Sequence, residues 1–230
     1  MSDGQPAQKP EVPIRDAATV LVVRHRPRGP EILMGQRGDK AVFMPSKYVF
    51  PGGAVDKDDA AVPLARPLPE LCRSRICAGA ATDLADALAA CAIRELFEET
   101  GLMLGARSPW PGEAPQDWRA FAGAGCVPVA DALTFVFRAI TPAGRPRRFD
   151  ARFFLTDADQ LVGDSDDFSR ASDELSHLHW VPMSEARALN LPFITEVVLA
   201  EVAQILVRRA APDSIPFFDN SGPVPVFRRL

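Results

Sequence analysis

Residues 83–101 read DLADALAACAIRELFEETG, and no other stretch constrains the chain as much. The alanine-rich run favours helix, alanine being the strongest helix former. Asp83 is placed as the N-cap, with Asp86 three residues on as its partner in a capping-box-like start. Gly101 is placed to stop the helix, because glycine accepts the left-handed conformation that ends one. Glu95, Glu98 and Glu99 follow the i, i+3, i+4 spacing and share one helix face. Three such carboxylates repel one another. Arg94, four residues before Glu98, can reach it or brace Glu95, but one arginine does not neutralise three glutamates. They also stand at the helix C-terminus, where the macrodipole disfavours negative charge. The face is either an ordinary solvated one or a cation site. Crowded oxygen donors suit Mg²⁺ or Mn²⁺, whereas zinc would call for Cys or His.

Around this helix the signals mix strands and helices without regular alternation. AATVLVVRHR (17–26) and EILMGQR (31–37), joined by PRGP, read as a hairpin. KYVFPGGAVD (47–56) reads as a short strand entering a Gly-Gly turn, whose backbone can approach a metal or phosphate closely. One helix is expected around QDWRAFA. Strands are expected over 132–140, 151–157 and 177–183, with a basic turn between the first two, and an amphipathic helix over 194–210. Residues 57–81 have no clear period. The pattern predicts an α+β fold, a mixed sheet flanked by helices. Residues 1–14 read as a mobile tail, 15–210 as the domain, and 211–230 as a Pro-rich tail along the surface or a partner. The 194–210 helix, with that aromatic tail, is a candidate homodimer contact.

A length of 230 residues, 47% hydrophobic and 24% charged, fits one large soluble domain. The net charge of −4 gives no basic excess for nucleic acid, so an anionic substrate needs local arginines or a cation. No secretory signal is visible, and no apolar run nears the ~18 residues of a membrane span. Cys72, Cys77, Cys91 and Cys126 lack paired spacing and read as reduced thiols of a cytoplasmic protein.

RELFEETGL (94–102) fills every specified position in the helical half of the Nudix box, G-x5-E-x7-R-E-U-x-E-E-x-G-U with U apolar, and VFPGGAVD (49–56) is similar to its glycine half. An arginine fourteen residues after Gly53 would fall at position 67. It stands at 94, so about 27 residues are inserted, and counting back from Arg94 puts Asp86 at the upstream acidic position. The chain thus resembles the coenzyme A diphosphatase-like Nudix enzymes with an insertion inside the box. ILMGQR…VFPGG is similar to their coenzyme-A-associated signature, with Arg37 thirteen residues before Phe50 but Ser46 at its glycine position. The likeness runs over about 16–205.

That resemblance implies an α/β/α sandwich and metal-dependent hydrolysis of a nucleoside-diphosphate-linked compound. The best single guess is coenzyme A or an acyl-CoA. ADP-ribose or NADH pyrophosphatase and a non-catalytic nucleotide sensor are the alternatives. Glu98 and Glu99 are implied metal ligands, and Glu95 a ligand or the base that orients water, held by Arg94. The Gly52 carbonyl is a further donor, and Asp173 or Glu174 an alternative base. Arg37, Arg147, Arg148 and Arg152 are phosphate contacts or ordinary surface arginines, and Gly53 lets substrate approach. Tyr48, Phe50 and Trp180 either stack adenine or belong to the core. One of His177 and His179 is expected to face inward as a structural residue.

Overall fold

The computed structural model describes residues 12–39, 41, 43–78 and 84–230. Asp83 and residues 1–11 of the N-terminal stretch lie outside them. In chain order the elements are β1 (Ile14–Arg26), β2 (Gly29–Arg37), β3 (Tyr48–Val49), β4 (Gly52–Ala54), α1 (Glu70–Cys77), α2 (Leu84–Thr100) and β5 (Gly105–Arg107). They continue with α3 (Arg119–Gly123), β6 (Cys126–Pro128), β7 (Thr134–Ile140), β8 (Arg148–Asp157), β9 (Leu175–Pro182), α4 (Phe193–Arg208), β10 (Pro216–Asp219) and β11 (Val226–Arg229).

β1 is the hub of a nine-stranded sheet of order β11-β10-β7-β8-β1-β2-β3, with β4 also on β1 and β9 on β2. β1–β8 and β7–β10 run parallel and the other pairs antiparallel, so the sheet is mixed. β5 and β6 pair separately. Val20 and Val22 point into one apolar core and Leu21 and Val23 into the other. Both faces of β1 are therefore buried, which is why its sequence is continuously apolar instead of alternating. The first core holds α1, α2 and Phe121 of α3 with the preceding Trp118, and the second holds α4. The result is an α/β/α sandwich.

α2 is buried nearly all round in its first half, from Ala85 to Ile93. Small alanines let it lie close to β1 and β4. Its other side is covered by the stretch that follows the Gly-Gly turn. Val62, Leu68, Cys72 and Ile76 are buried in the same core as α2. Asp86 is engaged by Arg73 of α1, so its carboxylate ties the two helices together. Gly101 ends α2 at a φ of 79°, its N–H bonded to the Phe97 carbonyl at 2.8 Å.

Two stretches differ from expectation. β8 begins at Arg148, inside the predicted basic turn. The Arg148 guanidinium donates to the Thr141 and Asn220 carbonyls, which draws the strand's start inward. The C-terminal stretch is not a surface tail. β10 joins β7 in parallel, and Ile215 and Phe217 are buried. Its strand signal is only four residues long and opens on Pro216, a residue tolerated at the first position of a strand. No described helix is long and apolar enough to cross a membrane.

Candidate active site

The site forms where β4 passes beneath the C-terminal half of α2. β4 is fixed to β1 by the register Thr19↔Gly52 and Ala18↔Gly53. A Cβ on Gly52 would lie 2.6 Å from the Ala18 carbonyl oxygen and 2.7 Å from Thr19 Oγ1. On Gly53 it would lie 2.3 Å from Glu95 Oε1. Neither glycine has a positive φ. What matters here is the missing side chain, which lets strand and helix approach.

Glu99 lies deepest, 2% exposed, and the Gly52 N–H donates to its Oε2 at 2.9 Å. Burial, reinforced by the charge of Glu95, pushes its carboxyl up to about 8 against the Gly52 hydrogen bond and the nearby charge of Arg37. Glu95 is raised to about 7 by burial, which outweighs the charge and hydrogen bond of Arg94. Glu98 stands at the rim, its side chain 37% exposed, and burial raises it as well, opposed by Arg94. Desolvation and mutual repulsion thus work against three ionised glutamates here.

Arg94 organises the cluster. Its Nη1 donates to Glu95 at 2.8 Å and to Glu98 at 3.1 Å, and its Nη2 to the Ala54 carbonyl at 3.1 Å. From the other side Asp59, 1% exposed, takes Nε and Nη2 with its two oxygens, each at 3.0 Å. Burial opposes the guanidinium charge, but Asp59 and Glu95 more than compensate and hold its pKa above the ordinary value. Asp59 is the functional residue that the sequence reading missed. It stands six positions after Gly53, the acidic position of G-x5-E counted from the glycine side. Counting back from Arg94 pointed to Asp86, which lies instead against α1.

The other expected residues separate. Arg37 lies within electrostatic reach of Glu99 and has no side-chain hydrogen bond among the described residues. Glu174 is felt at both Glu95 and Glu99. Phe50 is buried in the core on the α4 face, away from the glutamates. Arg152 is 1% exposed, and its Nη1 donates to Asp16 and the Asp150 carbonyl, so the guanidinium is held within the sheet, its buried Nε unpartnered among the described residues. Tyr48 packs in the α4-side core, and the Trp180 indole N–H donates to the Ser165 carbonyl. His177 and His179 are both exposed, since residues two apart share one face of a strand, and Leu178 and Trp180 are half-buried on the other.

Among the described residues, no three potential ligands converge on one ion as they are arranged. Arg94 Nη1 occupies the place between Glu95 and Glu98. The donor set itself fits a hard divalent cation. It is all oxygen, and Glu99 makes one hydrogen bond only among the described residues.

A family model described as the NUDIX domain matches residues 15–202. A Caenorhabditis elegans protein named as nudix hydrolase 7 is 31% identical over 183 residues, 74% of this chain and 52% of that protein. The acyl-coenzyme A diphosphatase of Gallus gallus is 35% identical over 134 residues, 45% of this chain and 34% of the relative. The chain therefore spans about half the length, or less, of these curated relatives. A solved Nudix hydrolase from Alicyclobacillus acidocaldarius superposes with a TM-score of 0.62 at 27% identity, covering 82% of this chain and 90% of that one. With its glutamates, arginine and paired glycines set in that fold, and the family model matching most of its length, the chain belongs to the Nudix family.

Proposed function

We propose that this chain hydrolyses, with a divalent cation, a pyrophosphate that joins a nucleoside to a second group. Its substrate in this reading is coenzyme A or an acyl-CoA, split into 3′,5′-ADP and (acyl-)phosphopantetheine. The observation that carries the reading is the gathering of Glu95, Glu98 and Glu99 against Gly52 and Gly53. These carboxylates and the Gly52 carbonyl are the donors for Mg²⁺ or Mn²⁺, which when bound would neutralise phosphate oxygens and lower the pKa of a water.

The chain's own groups do the positioning. Arg94, anchored by Asp59, fixes Glu95 beside Gly53. Gly53, having no side chain, lets the Glu95 carboxylate lie directly against the strand. Arg37 brings a guanidinium fork to the same edge, a geometry that matches phosphate oxygens. Glu174 is a candidate to take a proton from the attacking water, with Glu95 as the other. The substrate assignment is supported by the likeness to the Gallus gallus acyl-coenzyme A diphosphatase and by the spacing of Arg37 to Phe50.

The test is chromatography of products after incubating the protein with Mg²⁺ or Mn²⁺ and coenzyme A, acetyl-CoA, ADP-ribose or NADH. Fastest release of 3′,5′-ADP from the two CoA compounds is expected. AMP from ADP-ribose or NADH, with coenzyme A untouched, would discard the substrate and keep the chemistry. Ligand binding without product from any compound would replace the enzyme with a nucleotide sensor.

A further inference from the structure

A cavity of about 550 Å³ opens beside Glu98, between α2 and α3. This is within the usual size range of a small-molecule site. Its floor is Phe97, whose ring meets Phe121 edge-on at 5.3 Å, and Phe121 in turn meets Trp118 at 5.4 Å. Three packed aromatic rings make that floor rigid. The wall is α3, presenting Ala120 and Gly123. The lip carries Glu98, Asp117 and Arg170. Nothing lies within 4 Å of the position a Cβ would take on Gly123.

We infer that this cavity receives the arm of the substrate on the non-nucleotide side of the pyrophosphate, and that the arm is an uncharged, amide-bearing chain with an apolar end. The inference rests on the proposed hydrolase reading and deepens it. Continuity with Glu98 places the cavity next to the reacting phosphates. With Glu98 given to the cation, Asp117 and Arg170 leave the lip without net positive charge, so nothing there offsets the desolvation of a further phosphate. An amide chain meets no such penalty: its carbonyls can accept from Arg170 and its N–H groups can donate to Asp117. Beyond the lip the aromatic floor and small wall residues favour methylene groups. Ala120 and Gly123 are then the specificity-determining positions, since any larger side chain there takes up the arm's space.

Gly123→Phe is the direct test, because its ring enters open space and its backbone φ is not positive. Ala120→Leu is the second variant, and thermal melting of each shows that it is folded. Calorimetry on the full chain with S-decanoyl-4′-phosphopantetheine should show at least tenfold weaker binding to either variant. Binding of 3′,5′-ADP, the other half, should stay within twofold. In turnover with coenzyme A, KM should rise at least tenfold while kcat stays within threefold. Equal weakening of both ligands in folded variants, or no change in either, overturns the inference. If the wild-type chain fails to split coenzyme A, the substrate assignment falls, and the calorimetry still decides what the cavity takes. If coenzyme A is split with an unchanged KM in both variants, the hydrolase reading stands and the cavity assignment falls.

Discussion

Glu98 and Asp59 hold the same guanidinium from opposite sides, yet their loss should have opposite consequences. Glu98 is partly exposed, so Glu98→Gln should cost no more than about 1 kcal/mol of stability. In its proposed role as a donor for the cation, its loss should cost about a hundredfold or more in kcat. Steady-state kinetics beside a thermal melt separates the two effects, and a variant with near-wild-type turnover would sink the cation-site assignment. Asp59 is fully enclosed, and Asp59→Asn leaves a buried guanidinium short of its main partner. A loss of roughly 3 kcal/mol is expected in urea unfolding, whatever happens to activity. Gly53→Ala should disturb Glu95 directly, because the added methyl overlaps its carboxylate. Activity should fall with little change in the melt, which the same two measurements would show. The glutamates, Arg94 and both glycines were readable from sequence because local spacing fixes which way they point. Phe50 and Arg152 were not. Whether they face the glutamates or a core depends on how the sheet is covered, and no local pattern records that.

At the level of elements, β1, β2, α2 and α4 were legible because each is long and carries a sustained apolar pattern. β10 and β11 were not, because four residues are too few to show a period. Their hairpin has its own electrostatic latch. Burial pushes the Asp219 carboxyl up, but hydrogen bonds from Ser221 and the charges of Arg228 and Arg138 outweigh this and hold it below its usual value. A depressed folded pKa contributes stability in full above the unfolded value of about 3.9 and loses it as pH falls through the folded one. Asp219→Asn should therefore be less stable than wild type near pH 6. The gap should shrink as the solution is acidified below about pH 4. Urea midpoints across that range would show it, and a gap independent of pH would rule the latch out.

For the whole molecule, the C-terminal hairpin completes the sheet. Ending the chain at residue 210 would strip Ile215 and Phe217 from their buried positions, each worth about 2 kcal/mol. It would also leave β7 as an unpaired edge. The shortened chain should melt about 10 °C lower or aggregate, as a thermal scan with light scattering would report. A melt unchanged from wild type would make these strands dispensable. The sandwich also explains why the stretch after the Gly-Gly turn has no clear period. Asp59 serves the site, Val62 to Ile76 serve the core, and no single repeat satisfies both. One hydrogen bond joins these levels. The Gly52 N–H depends on a carboxylate 47 residues further along the chain. Solvent can take that proton only when α2 lifts from β4 or Glu99 turns away. Its hydrogen-exchange rate is therefore a single-atom gauge of whether the site is assembled, readable without substrate and without catalysis.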